Sequence, residues 1–139
     1  MRRWFDAHLD LACLAENGRD MGGPIETCGG PWQPAAVTFP SLREGGVAAV
    51  LGTIFTEADG DDAVRYTMGD AEGAHAAGVR QAEWYARWGR EGKIAAWRGK
   101  QPRGGRGVGS SGGNGAISLG VLMECADPIR GPEELEWWV

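Results

Sequence analysis

The chain is short of cysteine, of histidine and of any long apolar run, and each shortage removes a class of protein. No segment approaches the about 20 consecutive apolar residues that a membrane-spanning helix needs. Met1-Arg2-Arg3 runs into Trp4-Phe5-Asp6, so charge interrupts any secretory apolar region. No membrane or export role is expected. The three cysteines, Cys13, Cys28 and Cys125, form no CxxC pair and leave one over if any two bridge. Reduced thiols, and hence a cytoplasmic location, are the simpler expectation. A basic excess is missing as well: 14 Lys and Arg against 19 Asp and Glu give a formal net charge of -5. That disfavours a general nucleic-acid binder, whose phosphate contacts require a basic face.

What is abundant is glycine, 24 residues in 139, against an average usage of about 7 per cent. The glycines cluster in two stretches that cannot be helix or strand interior. The length suits one ordinary domain, residues 1–139, with about two-thirds of its unfolded surface buried. Much of the remainder is loop.

Along the chain, Trp4 to Leu11 reads as a first strand and Leu11 to Ala15 as a short helical turn. Asn17 to Pro34, with repeated Gly-Gly-Pro breakers, reads as a long irregular loop. Phe39 to Gly46 is a brief helix stopped by glycine. Val47 to Phe55, VAAVLGTIF, is almost continuously apolar and suits a parallel strand covered on both faces. Asp59 to Asp62 supplies turn chemistry. From Ala63 to about Arg90 the composition is helical, with Val79, Ala82 and Ala86 on one face and Trp84 and Trp88 at i, i+4 beside it. Ile94 to Trp97 adds a short extended piece.

Residues 98–115 are dominated by Gly, Arg and Ser and read as a flexible loop. Ala116 to Glu124, AISLGVLME, gives a third buried strand. Pro132 starts a further helix, with Glu133 and Glu134 favoured by its dipole. Strand, connection, strand, helix, strand and helix start is the α/β grammar of a parallel sheet with crossovers. Only three strands are clear and the last helix breaks off at Trp137-Trp138-Val139, so the opening portion of a larger fold is expected.

The chemistry gathers at strand ends. In an extended strand His8 and Asp10 leave the same face, about 7 Å apart at their Cα atoms. Asp6 shares their phase. An imidazole and carboxylates on one face begin a site for a divalent transition metal, and Glu124 also ends a strand, on the rim where catalytic residues gather in strand-helix barrels. Spacing alone leaves two readings open: metal ligands, or hydrogen-bonded polar residues at strand ends. His75, in a polar helical context, reads as a solvated residue. Trp84, Trp88, Trp137 and Trp138 read as residues covering a sheet, with Trp137 and Trp138 leaving an exposed apolar patch if their partners are absent. Gly107 to Gly112 fits GxGxxG but precedes a strand, against the order a dinucleotide site needs. Arg98, Lys100, Arg103 and Arg106 among glycines offer the competing function, a non-catalytic module that binds RNA or a protein partner.

Asp6-Ala7-His8-Leu9-Asp10-Leu11 resembles the N-terminal D-x-H-x-D-L motif of the membrane dipeptidase (renal dipeptidase, peptidase M19) family. Phe39 to Val47 is similar to that family's entry to its second strand. Leu119-Gly120-Val121-Leu122-Met123-Glu124-Cys125-Ala126-Asp127 is similar to its G-I-E-G-A-D strand end, and Pro132 to Leu135 resembles the helix start that follows. The resemblance implies the first third or so of a (β/α)8 TIM barrel, about three strands with their helices. It implies a metal site of His8, Asp10 and a bridging Glu124, two zinc ions with Mn or Co as substitutes, and Asp6 in a supporting position behind the ligands. It implies hydrolysis of a small dipeptide-like substrate. Two departures stand out: Cys125 replaces a usual glycine, and the family's two later histidines and downstream acid have no counterpart. The isolated chain is therefore expected to be inactive or nearly so, and to form homo-oligomers through exposed sheet edges.

Overall fold

The structure, a computed structural model, describes residues 3–97 and 115–138. The glycine-rich stretch, its GxGxxG match and its four basic residues lie outside the described residues, apart from Gly115.

The chain begins with β1 (Trp4–Leu9) and α1 (Leu11–Glu16), then runs irregularly to α2 (Phe39–Glu44) and β2 (Val47–Ile54). A capping box sets α2: Ser41 N–H donates to Thr38 Oγ1 at 3.3 Å and Thr38 N–H donates to Ser41 Oγ at 3.0 Å. Gly46, at φ +76°, turns the chain out of α2 into β2. Next come β3 (Glu57–Ala58), β4 (Arg65–Tyr66), α3 (Ala71–Arg90), β5 (Ile94–Ala96) and β6 (Ile117–Met123). A single 3-10 turn, Pro132–Glu134, leads into α4 (Leu135–Trp138).

Four strands form one wholly parallel sheet in the order β1-β2-β6-β5, while β3 and β4 pair separately. The mixed α/β class is as expected, and Ile94–Ala96 raises the sheet from three strands to four. The strand order is not sequential, because β5 pairs on the far side of β6. No helix among the described residues is long and apolar enough to cross a membrane. All three cysteines are free thiols.

One core lies between the sheet and α1, α2 and α3. It joins Leu11, Phe39, Val50, Ile54, Trp88 and Leu119, with Phe39 edge-on to Trp88 at 4.9 Å between ring centroids. Side chains alternate along a strand. Gly52 therefore faces Tyr85 of α3, whereas Gly120 points to the opposite face, beside Leu51 and Trp97. Across that second face Phe5 on β1 reaches Trp97, just past β5, with centroids 5.3 Å apart. Three strand spacings of about 4.8 Å separate these outer strands along the sheet, so the rings lean toward each other over the small residues between them.

Three expectations are corrected here. The first helix-like composition begins at Ala63, but α3 begins at Ala71, because Arg65–Tyr66 is spent on pairing with Glu57–Ala58 and Asp70 caps the helix through Gly73 N–H at 2.9 Å. The face of α3 turned to the sheet is Ala74, Ala77, Gly78, Gln81, Tyr85 and Trp88; Val79 and Ala82 are half-buried and Ala86 is exposed. His75 is not a solvated residue: Nδ1 lies 2.9 Å from the Pro128 carbonyl and 3.4 Å from Glu134 Oε2, and its ring sits edge-on to Trp138. Trp138 packs against the core while Trp137 remains exposed.

Candidate metal centre

Because every strand of the main sheet runs the same way, the ends of β1, β2 and β6 form one rim. There His8, Asp10 and Glu124 come together, with one ligand atom from each lying within 4.8 Å of the others. His8 Nε2 lies 3.0 Å from Glu124 Oε1 and 3.3 Å from Asp10 Oδ1. These are the three residues the sequence singles out, and Glu124 meets them from 114 positions or more along the chain.

The local route differs from a plain strand. From Asp6 to Leu9 the chain takes three steps (9 − 6), while its partner takes two from Val50 to Gly52 (52 − 50). The extra residue is a bulge, a device that re-aims side chains beside sites. Asp6 consequently does not share the phase of His8; it pairs with Val50, and its Oδ1 accepts the His8 backbone N–H at 3.0 Å. Its support of His8 is through the backbone of the bulge. Asp10 lies beyond the strand, at the N-cap of α1 with φ -80 and ψ 48, and makes no side-chain cap bond. Its carboxylate is thus free to turn to the rim. Glu124 follows β6 directly, and its N–H donates to Ile54 O at 3.1 Å, prolonging the ladder by one rung.

A layer beneath the rim holds Asp10, and sequence reasoning missed it. Thr53, fully buried in β2, donates its hydroxyl to Asp10 Oδ1 at 2.6 Å. Tyr85 OH donates to Thr53 O at 2.7 Å and accepts Ala12 N–H at 3.4 Å. Burial pushes the Tyr85 phenol well above its ordinary range, so it remains protonated. Gln81, also fully buried, clasps the backbone of Phe55, donating to its carbonyl at 2.6 Å and accepting its N–H at 3.1 Å. The signal for both was available: Gln81 and Tyr85 sit four apart on the same helical stripe as Ala77 and Trp88.

The donor set suits a divalent transition metal. Two ligand atoms on a tetrahedral zinc at about 2.0–2.1 Å are about 3.3 Å apart, close to the separations found around His8 Nε2. The same separations suit an Nε2–H donating to the two carboxylates, so a cation and a proton compete for one position. The side chains of His8, Asp10 and Glu124 retain 55%, 50% and 27% exposure, which leaves them accessible to an ion from solvent. Cys13, nearby, is a poor alternative ligand: burial, with Asp62 and Asp10 adding to it, pushes its thiol up to about 12. Cys125 turns to Thr56, with Sγ 3.3 Å from Oγ1.

No protein-family model matches the chain, and no curated protein or solved structure matches it either. The functional reading therefore rests on the residues and their geometry.

Proposed function

We propose that these residues are the opening part of a dipeptidase-like, metal-dependent hydrolase, and that His8, Asp10 and Glu124 are its metal ligands. The convergence of those three groups on one rim of a parallel sheet carries the reading. Two further features support a partial (β/α)8 barrel. Among the described residues α1, α2 and α3 cover one face of the sheet, as in barrels and unlike doubly wound sheets, and β1, β2 and β6 follow barrel order, with β5 an addition at the outer edge of β6.

His8 offers a neutral imidazole nitrogen, Asp10 a carboxylate oxygen held in place by Thr53, and Glu124 two oxygens that allow bridging. Divalent ions bound there, zinc or with the same donors manganese or cobalt, would supply the charge that polarises a scissile amide carbonyl and makes water acidic. The chain has two histidines, and His75 is engaged with Pro128 and Glu134. A two-metal centre takes further histidine ligands that these 139 residues do not supply, so on this reading the chain by itself is expected not to turn over dipeptides. Its outer strands β1 and β5 leave sheet edges that favour self-association. Three free thiols fit a reducing, cytoplasmic setting.

Zinc titration calorimetry tests this reading on the chain and on Asp10→Asn and Glu124→Gln. Each variant is expected to bind zinc at least about tenfold more weakly, since even residues that only touch a ligand are worth 10–100-fold, with an unchanged circular dichroism spectrum. Equal affinity in all three proteins overturns it.

A further inference from the structure

The main sheet has one covered face and one bare one. Partners across a ladder point to the same side, so Phe5 with Ala49, Leu51 with Gly120, and Thr53 with Leu122 share the face turned away from α1, α2 and α3. None of these six residues is charged. Among the described residues no helix lies on that side, and its two large rings stay open, Phe5 at 43% and Trp97 at 49% exposure. Parallel sheets are ordinarily covered on both faces, so this one lacks a cover.

Both edges are open as well. The Lys93 carbonyl and the Trp97 N–H bond to β6. Backbone groups alternate in direction along a parallel strand, which turns those of Ile94 and Ala96 away from β6, to the free edge. Neither β5 nor the Trp4–Phe5 end of β1 contains a proline or lysine, residues that blunt edges.

Area decides how such a surface is best covered. Four strands about 4.8 Å apart and about 20 Å long present roughly 400 Å² of flat face per copy. Two such faces, with their side-chain relief and two edge contacts, approach the about 1,000 Å² that a stable interface needs. One edge contact by itself falls far short of it.

We propose that the cover is a second copy of this chain. Two four-stranded sheets close into one barrel of eight strands, the number at which side chains just fill the interior. The strand added at the outer edge of β6, β5, pairs parallel to β1 of the partner, twice, about a two-fold axis along the strands. This rests on the partial-barrel part of the reading above and not on the metal. Parallel pairing puts both rims at the same end, so one mouth carries two sets of His8, Asp10 and Glu124. The arrangement leaves no free edge, and assembly stops at two.

Sedimentation equilibrium tests this, with circular dichroism to show that each variant folds. The expected particle has twice the 14.8 kDa mass of one chain and does not grow as concentration rises. Trp97→Lys should weaken the dimer about 100-fold or more, since a tryptophan is lost from each side of the contact. Trp137→Lys, on the helix-covered side and 61% exposed, should leave it intact. Ala96→Pro deletes an N–H at the free edge and no bond to β6, so it should also weaken the dimer. A monomer, a mass that climbs past two copies, or a dimer indifferent to Trp97→Lys or to Ala96→Pro overturns the proposal. A monomer that binds zinc and loses affinity in Asp10→Asn overturns the dimer alone; a dimer that binds no zinc overturns the metal reading alone.

Discussion

Thr53, on the strand between the two that carry the ligands, donates its hydroxyl to Asp10 Oδ1 at 2.6 Å and is itself fully buried. The bond leaves one oxygen of Asp10 with a fixed direction, and it links the rim to α3 through Tyr85. Thr53→Val preserves shape and deletes only this donor. Zinc affinity is expected to fall by 10–100-fold, while the urea midpoint changes little, because Asp10 is half exposed and regains a water. Zinc calorimetry beside urea denaturation separates the two effects; a variant with unaltered zinc affinity would show that Thr53 does not orient the ligand.

Gly52 permits the close approach of α3 to β2. A Cβ at that position would lie 2.9 Å from Tyr85 Cε1, Cζ and Oη, all parts of a buried ring that cannot swing away. Gly52→Ala is expected to cost about 1–3 kcal/mol, read as a lower urea midpoint at constant slope, and to loosen the Tyr85–Thr53 bond. An unchanged midpoint would mean that the helix can shift at no cost.

The parts of this fold that sequence reveals are those set by local composition. Val47–Ile54 and Ile117–Met123 are strands because apolar runs bounded by glycine and polar residues have few alternatives, and Thr38 with Ser41 caps α2 from residues three apart. His8, Asp10 and Glu124 are legible as residues at strand ends on one rim, while spacing alone leaves open whether they are metal ligands or hydrogen-bonded polar residues. What local composition cannot carry is pairing between distant segments. The bulge between Asp6 and Leu9 depends on the register with β2, and it places Asp6 out of phase with His8. The start of α3 depends on Arg65–Tyr66 meeting Glu57–Ala58. The buried stripe of α3 lies about one position from the apolar one expected, since Gln81 is turned inward by its bonds to Phe55. His75 is docked by Pro128 and Glu134, more than 50 residues away.

Arg130 donates to Glu134 and to Glu72, and its bonds hold the Glu134 carboxyl below the usual glutamate range. A carboxyl lowered in the folded state stabilises above its unfolded value and loses that contribution as pH falls through the folded one. Acidification below the ordinary glutamate range is therefore expected to loosen the segment carrying Trp137 and Trp138, seen as a change in tryptophan emission. Glu134→Gln should remove that acid-dependent step. Its persistence in the variant would assign the step to other groups.

Cys13 and Cys28 are buried, whereas Cys125 is partly exposed, and the Cys13 thiol is held up at about 12 chiefly by burial. Alkylation by iodoacetamide at pH 8 is expected to mark Cys125 first and Cys13 only after unfolding, because the thiolate is the reacting form. Peptide mass mapping over time reads the order. Early labelling of Cys13 would contradict the packing of α1.

The claim that His8, Asp10 and Glu124 hold the metal is tested most directly by zinc-edge X-ray absorption on the zinc-loaded chain. The account predicts nitrogen and oxygen neighbours at about 2.0–2.1 Å with an imidazole signature that disappears in His8→Ala. Sulfur neighbours at about 2.3 Å, or a spectrum unchanged by His8→Ala, would contradict it.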